Sequence, residues 1–371
     1  MAKAPSRSPI ILPSDPTLLS VEMAEPAQSA REAGLRYVSD EQPGIRRQRQ
    51  GRGFSYFDRK GDRIQDAAEL ERLKALPIPP SWDDVWICPF PNGHLLATGR
   101  DAKGRKQYRY HPEWQKIRNQ NKFDRLIPFG YVRPRIREVT DQHLRLHNLS
   151  REKILAVVVR LLESTLIRVG NDEYVQQNQS FGLTTLRDRH VDLASTKVRF
   201  HFSGKSGVEH DVELSDRRLV RAIKRCQELP GHELFQYVDE DGEIHSVNST
   251  DVNDYLRTIT GEEFTSKDFR TWAGTACTAQ ILGELGEPQS SKQAQENIRE
   301  AIRGAAKQLG NRVATCRNYY VHPIILEAYE KGWLLDTWTT AQQSSEHPES
   351  LELTPDEKAL LAVLNHRHER S

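Results

Sequence analysis

The sequence predicts an α+β chain, with a small β-rich N-terminal domain followed by a larger, mainly helical domain that one β-hairpin interrupts. Three observations carry this expectation. Short alternating segments separated by turn residues dominate residues 31–118. Apolar residues at helical spacing dominate residues 119–338. Within that second part, Val198, Phe200 and Phe202 alternate on one arm and Val208, Val212 and Leu214 on another, around the turn Gly204-Lys205-Ser206-Gly207.

In the first part, the stretch from Gly51 to Gly61 reads as a strand and a turn. Asp66 to Ala75 reads as a helix closed by Pro77, Pro79 and Pro80. Val85–Cys88 and His94–Thr98 read as strands flanking Pro91-Asn92-Gly93, and Lys106–Tyr110 alternates as another. In the second part, Ser150 can cap a helix with apolar positions Ile154, Leu155, Val158, Leu161, Leu162 and Leu166. Helical patterns return over Asp251–Thr258, Ser266–Leu285, Gln293–Leu309 and Pro323–Leu334, with Gly310 suited to the left-handed residue after a helix. Residues 1–30, with five prolines, read as a disordered arm. Residues 339–371 read as a polar, acidic tail with one short apolar segment, Ala359 to Leu364.

The 371 residues are enough for two domains and a sizeable core, and at 37% hydrophobic and 28% charged the chain is polar without being disordered throughout. No apolar run approaches a membrane span, and the Ile-Ile-Leu stretch near the N-terminus is too short for a signal sequence, so a cytoplasmic protein without a membrane partner is expected. Cys88, Cys226, Cys277 and Cys316 have neither metal-ligand nor disulfide-framework spacing. The net charge of +1 conceals an uneven distribution. Residues 100–125 hold nine basic and three acidic side chains, whereas residues 340–371 hold three basic and six acidic ones.

There is no GxxxxGK[ST] loop, so no nucleotide-driven motor is indicated, and Gly51-x-Gly53 reads as a turn. His143 and His147 are spaced as a helical pair but lack an evident third metal ligand. Phosphoryl chemistry without a metal needs side chains that stabilise charge on the non-bridging oxygens. Arginine suits this because its planar fork stays charged and can grip two oxygens. A lysine can donate a proton to the leaving oxygen, and a tyrosine can act as a covalent nucleophile.

Four segments hold such a set in order: Thr165-Leu-Ile-Arg168-Val-Gly-Asn-Asp-Glu-Tyr174, Phe202-Ser-Gly-Lys205-Ser-Gly207, Ser266-Lys267-Asp-Phe-Arg270-Thr-Trp272, and Leu309-Gly-Asn311 through Tyr319-Tyr320-Val-His-Pro323. Together with Ile78-Pro-Pro-Ser-Trp82, Val85-Trp86-Ile87 and Gly99-Arg-Asp101 through Tyr110, they resemble the type IB DNA topoisomerases over about residues 40–335. The resemblance is nearest to the bacterial and poxvirus-like branch. It implies two domains that close as a clamp around duplex DNA, a monomer, and no cofactor. It also implies strand cleavage through a 3′-phosphotyrosyl link, swivelling and religation, serving a bacterial nucleoid.

By resemblance, Tyr320 is the nucleophile, Arg168 and Arg270 clamp the phosphate, Lys205 is the general acid and Asn311 the neutral donor. Asn311 departs from the histidine common at that place. It keeps an NH₂ donor but carries no charge, so its contribution should be smaller and independent of pH. Tyr319 is the obvious confounder, but the family pattern selects the tyrosine nine residues after the donor. Arg270 lies off the apolar stripe of its helix, where a surface ion pair is the ordinary reading. Lys205 at a hairpin tip is ordinarily a solvated turn residue. Lys106, Gln107, Tyr108, Arg109 and Tyr110, with Lys267, are expected to contact DNA, with Gln107 suited to base edges and the cations to phosphates.

Two other readings stay open at this point. A tyrosine recombinase shares the catalytic chemistry, but it usually carries HxxR where this chain has Lys267-x-x-Arg270, and a helical rather than β-rich N-terminal domain. A non-catalytic DNA-binding protein of the same fold is compatible with asparagine at 311.

Overall fold

Residues 26–51, 53–102, 104, 106–171, 175–176, 178–343 and 353–366 are described by a computed structural model. Most of the expected N-terminal arm lies outside the described residues. So do Lys103 and Arg105 of the basic stripe, Asp172 to Tyr174 of the first arginine segment, and much of the expected tail. The chain divides into two compact units, residues 1–124 and 125–371. The first is built on a β-sheet and the second is mostly helical. Among the described residues, no helix is long and apolar enough to cross a membrane.

The N-terminal unit holds helix α1 (Pro26–Glu32), strands β1 (Ile45–Gln50) and β2 (Gly53–Phe57), helix α2 (Ala67–Ala75), strands β3 (Asp83–Ile87), β4 (Leu95–Arg100) and β5 (Lys106–Tyr110), and helix α3 (Pro112–Asp124). The strands form one antiparallel sheet in the order β2-β1-β3-β4-β5. Helix α2 starts where its cap predicts, with Asp66 accepting from the Glu69 N–H at 2.8 Å. Ile45, Tyr56, Leu73, Trp82, Val85, Ile87 and Ala97 make the core on which α2 and the sheet meet.

Strand β1 was not expected, because Ile-Arg-Arg-Gln-Arg-Gln carries too much charge to read as a half-buried strand. The structure shows why it is tolerated. Arg47 points inward, and its guanidinium donates to the carbonyls of Ile78 (3.3 Å), Pro79 (2.9 Å) and Trp82 (2.9 Å). A buried cation is acceptable when its donors are used. The arm expected over residues 1–30 is also corrected at its end, since Pro26 opens α1, and Ala30 packs with Leu35 and Trp114.

The second unit begins with α4 (Leu126–Leu144) and α5 (Arg151–Thr165). A three-stranded antiparallel sheet follows, β6 (Val191–Leu193), β7 (Lys197–Ser203) and β8 (Glu209–Ser215), with α6 (Arg217–Gln227) behind it. A small hairpin, β9 (Gln236–Val238) and β10 (Ile244–Ser246), precedes α7 (Ser249–Thr260), α8 (Ser266–Leu285), α9 (Ser291–Gln308), α10 (Val313–Tyr320), α11 (Pro323–Glu330), α12 (Leu334–Gln343) and α13 (Pro355–Asn365). Helix α5 is buried along both its apolar faces, from Ile154 to Leu162, which makes it the unit's central rod.

The expectation of a polar tail over 339–371 is corrected where residues are described. Helix α13 buries Ala359, Leu360, Leu361, Val363 and Leu364, and Thr354 caps it with Glu357 in a reciprocal capping box. The acidic composition misled because one of those acids is internal. Glu357 receives Arg133 Nε at 2.6 Å and Arg137 Nη1 at 2.7 Å, and Arg133 also reaches Glu163 at 2.9 Å. Burial raises the Glu357 pKa, but the hydrogen bond from Arg137 and the charges of Arg133 and Arg137 outweigh it, leaving the group below its ordinary value.

Glu357→Gln leaves the Arg133 and Arg137 charges undercompensated in the interior. It is expected to cost about 3–5 kcal/mol of unfolding free energy, measured by urea denaturation; a loss below about 1 kcal/mol would place the pair among weak surface bridges. A second expectation concerns acid. Burial, reinforced by Arg189, Arg187 and His201, lowers His190 to about 4, and its Nδ1 already accepts the Arg187 N–H at 3.0 Å. Its folded pKa lies below its unfolded one, so its contribution is complete above about pH 6.5 and is lost as pH falls towards about 4. The pH dependence of the urea midpoint in that window should flatten by one proton in His190→Gln.

Candidate active site

The site forms where three helix ends and the sheet hairpin meet within the second unit. Helix α5 ends at Leu166, which takes left-handed backbone at φ 57°. That reversal sends Arg168 away from the rod. The strand of chain holding Arg168 is then pinned by the residues after it, since Leu183 N–H donates to Arg168 O at 2.8 Å and Thr184 Oγ1 donates to Val169 O at 2.9 Å. Gly182 is required for this approach, because a Cβ there would lie 2.6 Å from the Arg168 carbonyl oxygen.

Helix α9 ends in the manner that Gly310 predicts. Gly310 sits at φ 58°, its N–H donates to Lys307 O at 3.2 Å, and Asn311 N–H donates to Ala306 O at 2.9 Å. This double closure fixes Asn311 just past the helix. Its side-chain oxygen accepts from Arg168 Nη2, which leaves the Nδ2 donors for something else.

Arg270 corrects the surface reading of its position. It is only 3% exposed, and its guanidinium donates to the carbonyls of Leu166 and, at 2.6 Å, Leu309. One side chain of α8 therefore ties the end of α5 to the end of α9. Tyr320, the last residue of α10, lies beside it, with the Arg270 Cζ 5.4 Å from the phenol ring centroid. Tyr320 is held from behind by α8. A Cβ on Gly274 would lie 2.5 Å from the Tyr320 carbonyl oxygen, and the Thr275 hydroxyl lies 3.2 Å from that oxygen while accepting the His322 N–H at 3.1 Å. Tyr319 is 48% exposed.

The electrostatics of this cluster are unusual. Burial lowers the Arg270 pKa, the Arg168 charge lowers it further, and the Tyr320 phenol acts in the opposite sense. Burial likewise lowers Arg168, again opposed by Tyr320. Two guanidiniums face each other here with no carboxylate bonded to either among the described residues. Arg168 Nη1, Arg270 Nε and Asn311 Nδ2 are all buried without a hydrogen-bond partner among the described residues. Buried donors left open cost free energy, and three of them in one linked cluster are the complement of an oxyanion.

Arg168, Arg270, Asn311 and Tyr320 are thus brought together from segments far apart in sequence. Lys205 lies on the exposed tip between β7 and β8, in a turn with left-handed Ser206 and Gly207. Lys267 is exposed on the first turn of α8. In the N-terminal unit, Lys106 pairs with Asp40 at 2.7 Å, Gln107 donates to Asp101 at 3.1 Å and Arg109 donates to Pro77 O at 2.9 Å. Tyr108 and Tyr110 stack with ring centroids 5.9 Å apart, and Tyr108 is 45% exposed.

Sequence reading missed two participants. Thr275 is one, and helical spacing alone does not mark it. His210 is the other, pairing across the hairpin with Phe202 and stacking on it at 4.9 Å. Its position continues the alternation Val208, Val212, Leu214, which was the available signal.

Comparison with known proteins decides the family. A model of the catalytic core of eukaryotic DNA topoisomerase I matches residues 111–335, and a model of the N-terminal domain of bacterial DNA topoisomerase IB matches residues 53–101. The chain belongs to the type IB DNA topoisomerases. DNA topoisomerase 1B of Acanthamoeba polyphaga mimivirus is 33% identical over 298 residues, covering 78% of this chain and 88% of the relative. DNA topoisomerase 1B of vaccinia virus (strain Copenhagen) is 30% identical over 146 residues, covering 38% of this chain and 46% of its own. These matches favour a topoisomerase over a recombinase or a silent binding protein, and the chain is a DNA-acting isomerase.

If the open donors of this topoisomerase form an oxyanion site, inorganic sulfate titrated at constant ionic strength should raise the Tm of the wild type, as any ligand specific to the folded state does. The rise should shrink in Arg168→Ala. Equal rises in both proteins would rule out an anion site at the paired guanidiniums.

Proposed function

We propose that Tyr320 is the nucleophile with which this type IB topoisomerase opens one strand of duplex DNA, and that Arg168, Arg270 and Asn311 hold the scissile phosphate. The three buried donors left open beside the phenol carry this reading. The phenol oxygen attacks phosphorus and loses its proton to solvent. The bond to the 5′ oxygen breaks, and Lys205 protonates that oxygen as it leaves. The product is a 3′-phosphotyrosyl link and a free 5′-hydroxyl. The two guanidiniums stabilise charge that grows on the non-bridging oxygens, while Asn311 contributes one neutral donor.

Religation reverses each step. One phosphoester replaces another, so the bond energy is kept in the protein–DNA link and no ATP is consumed. Between the two steps the free end swivels. Rotation has no built-in direction, so both positive and negative supercoils relax. The enzyme works as a monomer, with the two units closing around the duplex. Lys106 to Tyr110 and Lys267 contact DNA, with the exposed Tyr108 ring open to a sugar or base, and such contacts make binding weaken with salt. We further propose that it serves the nucleoid of a bacterial cytoplasm.

Supercoiled plasmid incubated in EDTA without ATP tests the chemistry. The wild type and Tyr319→Phe should relax it, and Tyr320→Phe should not while keeping its fold and DNA affinity. Arg270→Ala should slow single-turnover cleavage by about 10²–10³-fold. Asn311→Ala should slow it less, by a factor that does not change between pH 6 and pH 9. Relaxation by Tyr320→Phe, or its loss in Tyr319→Phe alone, would reassign the nucleophile.

A further inference from the structure

We infer that His210 is a positioning residue of the cleavage reaction: its ring, wedged between the glycine ahead of Lys205 and the glycine ahead of Asn311, keeps the lysine hairpin in register with the segment that carries the phosphate-binding amide. The inference rests on the reading of Lys205 as the proton donor.

The wedge is visible from both sides. A Cβ on Gly204 would lie 2.6 Å from His210 Cδ2 and Nε2. A Cβ on Gly310 would lie 3.1 Å from His210 Cε1. Gly310 needs its left-handed backbone to end α9, but Gly204 sits at φ −96°, which any residue adopts. Glycine at 204 is therefore a matter of space, and the space is taken by this imidazole. The other face of the ring is fixed, since Phe202 stacks on it with an interplanar angle of 11°.

Behind the ring, the hairpin tip is closed by its own backbone, Gly204 N–H to Val208 O at 2.7 Å and Gly207 N–H to Gly204 O at 3.1 Å. A closed tip moves as a body. Its orientation is then set at its base, where His210 meets Gly310. A lysine on an exposed turn has no burial of its own to aim it, and proton transfer requires hydrogen-bond reach to the leaving oxygen. Misplacement by about 1 Å can cost on the order of 10²-fold in rate.

The charges around the ring suit this passive role. Burial, Arg168 and Arg270 all disfavour its protonation, and only Glu209 acts the other way. These influences favour the neutral imidazole, which adds no third charge beside the two guanidiniums.

The test uses DNA in which sulfur replaces the bridging 5′ oxygen at the cleaved phosphate. A thiolate leaves without a proton donor, because thiols are far more acidic than alcohols. On ordinary DNA, His210→Ala is expected to slow single-turnover cleavage by tenfold or more, approaching ~10²-fold, and the sulfur substrate should restore most of that rate. Lys205→Ala should behave alike, and the double variant should be no slower than Lys205→Ala alone, since both remove one function. Gly204→Ala, which leaves His210 in place but drives a methyl into it, should show the same leaving-group dependence even if His210→Ala folds poorly. A His210→Ala defect of equal size on both substrates, an additive double variant, or a Gly204→Ala enzyme at full rate would each overturn the inference. Full activity of Lys205→Ala on ordinary DNA would instead overturn the reading of Lys205, and the inference with it.

Discussion

The guanidinium of Arg270 spans the carbonyls of Leu166 and Leu309, and most of the site hangs on that bridge. Both carbonyls belong to residues that end helices, α5 and α9, where backbone oxygens lack intrahelical partners and the helix dipole is negative. A buried cation normally asks for a carboxylate. Here two helix ends serve instead, each worth about 0.3–1 kcal/mol in general, and up to about 2 kcal/mol when partly buried. The consequence is chemical as well as structural: the charge is held firmly, yet it is not neutralised.

Other buried arginines in the chain show the contrast. Arg133 and Arg137 are matched to Glu357 and Glu163, and their charge is spent within the interior. Arg47 uses its donors on three carbonyls of the N-terminal unit. Arg168 and Arg270 alone among these share a cluster with open donors and a second cation beside them. In the free protein the repulsion between the two is offset by the helix-end carbonyls that hold Arg270, and a bound oxyanion, as proposed, would relieve it.

The backbone devices around the cluster all act on direction rather than on affinity. Left-handed Leu166 turns the chain so that Arg168 leaves the rod, Gly310 closes α9 so that Asn311 faces Arg168, and the close approach at Gly274 seats the end of α10 on α8. Each aims one functional side chain at the others. The hairpin is the exception: its lysine lies on an exposed tip, which is why its footing against Gly310 through His210 matters.

The local order of the chain was legible in its residues. Caps and punctuation located α2 from Asp66, α5 from Ser150 and the end of α9 at Gly310, because these signals act through neighbouring backbone groups. The period-two alternation marked the hairpin, and the four ordered motifs named Arg168, Lys205, Arg270, Asn311 and Tyr320. What the sequence could not decide was the environment of each. Strand β1 and helix α13 escaped because their charged residues, Arg47 and Glu357, are satisfied by partners more than thirty and two hundred positions away. A surface ion pair was the ordinary alternative for Arg270 until the ends of two other helices supplied its acceptors, and His210 went unremarked until Gly204 and Gly310 closed on it. Propensity and capping are short-range and written in the sequence itself, whereas burial, charge compensation and the meeting of distant carbonyls exist only once the chain has folded.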